Sequence, residues 1–181
     1  EKLGAEEELI AADTTGYRTT AASAYYQARC GRTYREWSKG VYAVGTQSQL
    51  ILAWRQGRGP GNDAPFLDGL RRDAERYGRH VHGQRQWMMI TDAGFDGRRV
   101  QEGDLIPPIR RHANLVSPER KARAELVSAA RLDGIYGQRW KSETVHSVIK
   151  RKLGDAIRSC KVSHRRREPA VKGLVYNLHV L

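Results

Sequence analysis

Two aspartates follow short apolar runs that are typical of buried β-strands. Asp13 comes after residues 9–12, and Asp92 comes after residues 87–91. In a mixed α/β sheet, neighbouring strand ends can bring two carboxylates together, and hard cations such as Mg²⁺ take oxygen ligands. Strand-end aspartates are also ordinary turn residues, and for either aspartate alone a turn is the better interpretation. The pair becomes informative only together with a further acid.

A third acid, Glu143, lies on a helix predicted over residues 136–153 and ended by Gly154. At about 100° per residue, four polar side chains fall in one narrow stripe of this helix: Tyr136, Arg139, Glu143 and Lys150. Three apolar residues face the opposite side and are expected to pack on the sheet: Val145, Val148 and Ile149. An Arg139–Glu143 ion pair on a solvated face would explain part of this polar stripe, but not why the acid falls among basic residues.

Positive charge dominates the composition, with 32 Lys and Arg against 20 Asp and Glu and a net charge of +12. This excess favours a polyanionic partner, because neutralising phosphates releases condensed counterions. Charge alone does not separate DNA binding from RNA binding. Cys30 and Cys160 form no CxxC pair, which argues against a zinc ribbon or a disulfide framework and fits a reducing compartment. No apolar run approaches the roughly 18 residues that cross a bilayer.

Hydrophobic periodicity and turn signals predict one α/β domain over residues 1–181, with a mixed five-stranded sheet flanked by helices. The expected strands cover residues 9–12, 40–46, 49–54, 87–91 and 105–109. The first expected helix is capped by Asn62 or Asp63 and runs to about Tyr77. The other expected helices cover residues 97–102, 118–132, 136–153 and 170–181. Two basic segments, one around His80 and His82 and one over residues 164–167, are expected to be loops.

The spacing of the polar stripe is specific. From Tyr136 to Lys150 it reproduces Y-(2)-R-(3)-E-(6)-K, and the chain thereby resembles the insertion-sequence transposases with an Asp-Asp-Glu triad. Asp13 in AADTTG resembles the first aspartate motif of that family, and Asp92 in ITDAGFDG resembles the second. Residues 105–114 contain LIPPIR and a following His-Ala-Asn, which resemble the stretch after the second aspartate. The resemblance covers nearly the whole chain.

The resemblance implies a ribonuclease-H-like fold, in which the first aspartate lies on the first strand, the second follows the fourth strand, and the glutamate lies on a later helix. It implies cleavage of transposon ends and strand transfer into target DNA by three acids that hold Mg²⁺ or Mn²⁺: Asp13, Asp92 and Glu143. Three residues are implied to bind DNA: Tyr136, Arg139 and Lys150. The implied partner is double-stranded DNA, bound by a homodimer in the nucleoid of a prokaryotic cytoplasm.

Some features of the sequence leave alternatives open. The family usually carries a DNA-binding region before the catalytic core, and only 12 residues precede Asp13, so the chain is expected to be a fragment without that region. Residues 19–37 match no part of the family pattern. Asp63 and Asp96 are expected to be cap or turn residues, and residues 165–167 are either a phosphate clamp or a solvated run. The alternative functions are an inactive DNA-binding protein derived from a transposase, a structural RNA-binding protein, and a ribonuclease-H-like nuclease unconnected with transposition.

Overall fold

A mixed five-stranded sheet forms the middle of the protein. The computed structural model describes residues 7–19, 29, 37–59, 61–82, 87–109, 117–159 and 161–181. The strands are β1 (Leu9–Thr19), β2 (Trp37–Gly45), β3 (Ile51–Arg58), β4 (Met88–Ile90) and β5 (Ala156–Ile157). Their order is β3-β2-β1-β4, with β5 also paired to β1. Strands β1, β2 and β3 form an antiparallel meander, whereas β4 and β5 run parallel to β1.

Helices cover both faces of the sheet. They are α1 (Leu67–His82), α2 (Pro118–Leu132), α3 (Trp140–Leu153) and α4 (Val162–Val180). One face carries α1, whose Leu67 and Leu70 pack with Ile10 of β1. The other face carries α3 and α4, whose apolar residues pack around Tyr17 and Tyr42. None of the described helices is both long enough and apolar enough to span a membrane.

Side-chain alternation along β1 decides which residues face α3. Successive residues of a strand point to opposite faces of the sheet, and Ile10 and Ala12 lie in the core under α1. Tyr17 lies in the core under α3 and α4. Asp13 is four positions before Tyr17, an even offset, and therefore lies on the α3 face.

Strand β1 is longer than predicted. The prediction ended the strand at residue 12 and put Asp13 in a turn, but β1 continues to Thr19. The prediction was wrong because β2 pairs with β1 from Ile10 to Arg18 and holds the backbone beyond Asp13 in a regular ladder. Asp13 thus lies within the strand, opposite Tyr42.

The fifth strand is also not the predicted one. Residues 105–109 were predicted as a strand, but they contribute only a parallel bridge between Leu105 and Ile90. Two successive prolines, Pro107 and Pro108, lack the N–H groups that a ladder needs. The fifth strand instead follows α3 as Ala156–Ile157, beside the end of β1.

The helix predictions had mixed outcomes. Helix α2 has the predicted bounds, with Pro118 in its first turn. The predicted helix 136–153 consists of a 3-10 turn (Tyr136–Arg139) followed by α3, and Gly154 ends it with a φ of 84°. The predicted helix 97–102 is wrong, since these residues form turns and a 3-10 turn (Ala93–Phe95) precedes them.

Both predicted basic loops lie in helices. Helix α1 extends to His82 and includes residue 80. Residues 164–167 belong to α4, which begins at Val162 rather than at residue 170. Arginine has a high helix propensity, and the backbone N–H groups of His164 and Arg165 both donate to the Lys161 carbonyl. Of the remaining predictions, those on residues 20–28, 30–36, 83–86, 110–116 and 160 fall outside the described residues.

Candidate active site

Asp13 is a partly buried acid in the middle of β1. Its Oδ1 accepts a hydrogen bond from the Thr14 backbone N–H at 2.8 Å. Burial raises the pKa of Asp13 to about 6; the Thr14 amide opposes this shift, and the negative charge of Asp92 adds to it. Glu143 also raises this pKa, whereas Arg139 lowers it. Asp13 therefore lies within electrostatic reach of the two other predicted acids.

Asp92 reaches this position because β4 is parallel to β1. The last residue pair of the two strands is Ala11 with Ile90, so Asp92 follows β4 by two positions, as Asp13 follows Ala11. The side chain of Asp92 caps the 3-10 turn that comes next, and its Oδ1 accepts a hydrogen bond from Gly94 N–H at 2.9 Å. The predicted position of Asp92 at a strand end is confirmed.

Glu143 lies in the first turn of α3, and its charge raises the pKa of Asp13. The helix is fixed on the sheet by Val145 and Ile149, which are fully buried beside Tyr17 and Tyr42. The Glu143 side chain is 52% exposed, and its Oε1 lies 2.5 Å from Nη2 of Arg139. The charge of Glu143 therefore acts on Asp13, while its carboxylate is paired with the guanidinium of Arg139.

The other polar-stripe residues lie around these acids at different distances. The Tyr136 hydroxyl donates to the carbonyl of Thr91, directly before Asp92, at 3.0 Å. The guanidinium carbon of Arg131 lies 5.0 Å from the centre of the Tyr136 ring. Lys150 is two helical turns beyond Glu143, with Nζ at 5.9 Å from the Tyr17 ring centre. The polar-stripe residues therefore extend from Tyr136, beside the end of β4, to Lys150 in the last turn of α3.

His146 is a residue at this site that the sequence reasoning missed. It lies one turn after Glu143, and its buried ring has Nδ1 at 3.7 Å from Oδ2 of Asp13. The ring packs against Tyr42, with centroids 5.5 Å apart and planes at 54°. Burial, and secondarily the charge of Lys150, lowers the pKa of His146 to about 3, so the imidazole is neutral. Its position three residues after Glu143, on the packed side of the helix, was the available signal.

The carboxylates of the three acids are suitable ligands for a divalent cation, but they are not close enough together to form a ligand group. Carboxylate oxygens are the ligands that Mg²⁺ and Mn²⁺ prefer. Burial is the main cause of the raised pKa of Asp13, and the negative charges of Asp92 and Glu143 add to it. Within the described part of the chain, no three Asp, Glu, His or Cys side chains already form a group able to hold a metal ion. The third carboxylate, that of Glu143, is paired with Arg139.

Two further acids have structural partners. Asp63 accepts a hydrogen bond from Lys39 at 2.5 Å, and it precedes the 3-10 turn that leads into α1. Asp63 occupies the N-cap position of that turn, but its side chain makes no cap hydrogen bond. The Oδ1 of Asn62, one residue earlier, accepts from the Ala64 backbone N–H at 3.2 Å. Asp96 ends the 3-10 turn after Asp92 and binds two arginines of α2.

Comparison with known proteins assigns the chain to a family. The family model described as "Transposase DDE domain" matches residues 4–178, a range that includes Asp13, Asp92 and Glu143. No curated protein and no solved structure matches the chain. Since the family match covers nearly all of the 181 residues, the chain belongs to the transposase DDE domain family.

Proposed function

We propose that the chain is the catalytic core of a DNA transposase that cleaves transposon ends and transfers the cut strand into target DNA. Family membership supports the reaction class. The observation that carries the proposal is that Asp13 lies close enough to Asp92 and Glu143 for the charge of each to raise its pKa. These acids come from β1, the end of β4 and α3, which are far apart in sequence. Acids that meet from distant segments and perturb one another's pKa are typical of functional sites.

The same arrangement supports a ribonuclease-H-like fold. An antiparallel meander of three strands continues into a parallel fourth strand beside β1. The first acid lies on β1, the second follows β4, and the third lies on a later helix. This order is the one that the resemblance to insertion-sequence transposases implies.

In this proposal, Asp13, Asp92 and Glu143 hold Mg²⁺ or Mn²⁺. Asp13 is the central ligand, because its carboxylate senses the charge of both other acids. Divalent ions, when bound, activate water or a 3′ hydroxyl and stabilise the leaving oxygen. Glu143 becomes available when Arg139 turns from it to a DNA phosphate, so the two residues exchange partners as the substrate arrives.

Arg139, Lys150 and Tyr136 position the DNA. Displacement at phosphorus needs charge neutralisation and alignment more than a strong protein base. Arg139 lies beside the acids and would bind the phosphate next to the cut. Lys150 lies two turns away on the same helix and would bind a phosphate further along the backbone. Tyr136 is held between the Thr91 carbonyl and Arg131 and would contact DNA next to Asp92.

The remaining parts of the proposal follow from family membership. The substrate is double-stranded DNA, both as transposon end and as target, and the protein acts on it as a homodimer. The place of action is the nucleoid of a prokaryotic cytoplasm. The net charge of +12 supports a DNA partner, because contacts to phosphates release counterions.

The test is nicking of supercoiled plasmid in Mn²⁺ by the wild type and by Glu143→Gln. We expect the variant to bind DNA but to lose cleavage by at least about 100-fold, since a metal ligand supports several kcal/mol of transition-state stabilisation. Glu125→Gln, an exposed acid on α2, is the matched control and should cleave normally. Wild-type cleavage by Glu143→Gln would exclude its role as a ligand. DNA binding without any cleavage by the wild type would instead indicate an inactive DNA-binding protein.

A further inference from the structure

His146 is the residue of α3 that contacts an acid of the sheet. Its side chain is 8% exposed, and Nδ1 lies 3.7 Å from Oδ2 of Asp13. Its ring lies against Tyr42, which pairs with Asp13 across β1 and β2. Because Glu143 precedes His146 by three residues, the helix turn that carries the third acid also carries a partner for the first.

The two carboxylate oxygens of Asp13 have different partners. Oδ1 accepts the backbone N–H of Thr14 at 2.8 Å, whereas Oδ2 faces Nδ1 of His146. Among the described residues, Thr14 and His146 are the groups that contact this carboxylate. A movement of less than about 1 Å brings the 3.7 Å separation to the length of an N–H···O hydrogen bond. His146 is therefore placed where a small shift would let Nδ1 donate to Oδ2 of Asp13 and hold the carboxylate in one orientation.

Packing alone does not explain a histidine at this position. Nε2 of His146 is buried and has no hydrogen-bond partner among the described residues. A buried polar atom without a partner costs about 1–3 kcal/mol, which an apolar ring of similar size would avoid. A neutral imidazole has one donor and one acceptor nitrogen. If Nδ1 carries the proton towards Asp13, the unpartnered Nε2 is only an acceptor.

We propose that His146 is a positioning residue that orients the Asp13 carboxylate for metal binding through Nδ1–H. This inference rests on the proposed function, in which Asp13 is the central metal ligand. Hydrogen bonds to metal-ligating carboxylates fix the direction of their lone pairs, and their loss typically lowers metal affinity about 10–100-fold. His146 itself donates to the carboxylate and does not touch DNA or the reacting phosphate.

The experiment is Mn²⁺ titration of the full chain, followed by electron paramagnetic resonance, for the wild type and two variants. His146→Phe keeps a buried ring but removes the donor, and we expect a loss of Mn²⁺ affinity of about tenfold. His146→Asn places an amide N–H near the position of Nδ1, and we expect it to recover most of the affinity. His164→Phe, an exposed histidine of α4, is the matched control and should bind Mn²⁺ normally.

A second readout separates positioning from general damage. In the plasmid-nicking assay, His146→Phe should need about tenfold more Mn²⁺ for half-maximal rate but should reach the wild-type rate within about twofold at saturation. Wild-type affinity in His146→Phe would overturn the proposal. An equal loss in His146→Phe and His146→Asn would also overturn it. If His146→Phe does not fold, His146→Leu replaces it as the variant without a donor.

Asp13→Asn distinguishes this inference from the proposed function. If Asp13→Asn loses Mn²⁺ binding and His146→Phe does not, only the role of His146 is wrong. If Asp13→Asn binds Mn²⁺ as tightly as the wild type, the acids are not the metal site and both proposals are overturned.

Discussion

Asp104 is a buried carboxylate and Asp13 a partly buried one, but their surroundings are opposite. Asp104 is 1% exposed, pairs with Arg71 at 2.5 Å and accepts two backbone N–H groups at 2.8 and 3.2 Å. Asp13 has one backbone N–H, a neutral His146 at 3.7 Å, and the charges of two acids and of Arg139 acting on it. The negative charge of Asp104 is neutralised by Arg71. Among the described residues, no cation lies within hydrogen-bond distance of Asp13.

Asp96 is a second acid with a buried side chain, and its negative charge is neutralised by arginines. It follows Asp92 by four residues, yet it binds Arg120 and Arg123 of α2 and accepts the Ile109 N–H at 2.8 Å. These contacts attach α2 to the loop after β4. A buried charge without a close counter-charge is costly, so Asp13, whose side-chain ion-pair partner among the described residues is the neutral His146, is better explained by an ion from outside the chain than by a role in folding.

The largest expected effect comes from removing the charge of Asp104, which is paired with Arg71. Asp104→Asn leaves the buried guanidinium of Arg71 without its counter-charge, and removing one partner of a buried pair costs about 3–5 kcal/mol. We expect the free energy of unfolding in urea to fall by about 3 kcal/mol. Asp133→Asn, an exposed acid at the end of α2, should change it by less than about 0.5 kcal/mol. A loss below about 1 kcal/mol in Asp104→Asn would contradict the assigned role.

Ionisation of Asp13 should destabilise the folded protein, whereas the charge of Asp104 stabilises it. Its pKa is raised from 3.8 to about 6 in the folded protein, so the folded state binds more protons between these values. Metal-free wild type should therefore be most stable below pH 4 with respect to this group and should lose up to about 3 kcal/mol as pH rises to 7. Asp13→Asn should lack this loss. Urea unfolding in EDTA at several pH values measures the difference, and a less stable Asp13→Asn at pH 7 would contradict it.

Added Mn²⁺ should neutralise the negative charges of the three acids and thereby stabilise the folded protein. A ligand that binds only the folded state at ten times its Kd adds about 1.4 kcal/mol to the free energy of unfolding. We expect Mn²⁺ to raise the Tm of the wild type and of Asp133→Asn, but not that of Asp13→Asn or Asp92→Asn. An equal rise in all four proteins would place the ion elsewhere.

The smallest effect concerns the far end of the polar stripe. Lys150→Gln should weaken binding to double-stranded DNA about fivefold, and the slope of log affinity against log salt should fall by about 1, as expected for one lost phosphate contact. Arg72→Gln removes an exposed charge from α1 on the opposite face of the sheet and should leave the slope unchanged. Equal slopes for the two variants would mean that Lys150 does not contact DNA.

Local signals in the sequence determined several features of this protein. The bounds of α2 follow from Pro118 at its start and the apolar spacing after it, and Gly154 marks the end of α3 because glycine tolerates a positive φ. The apolar run before Asp92 predicted a buried strand that ends there. The Y-(2)-R-(3)-E-(6)-K spacing from Tyr136 to Lys150 predicted the family. These features depend on residues within one or two turns of each other, where propensity and periodicity are informative.

Long-range pairing decided the rest. Asp13 lies within β1 because β2, about 30 residues away in the chain, extends the ladder past it. The contact of His146 with Asp13 joins residues from α3 and β1, and β5 forms only because α3 returns the chain to the end of β1. The sequence by itself determined which groups are able to do the chemistry. Only the tertiary structure decided which acids are compensated and which are not, because charge compensation depends on the distances between atoms of different elements.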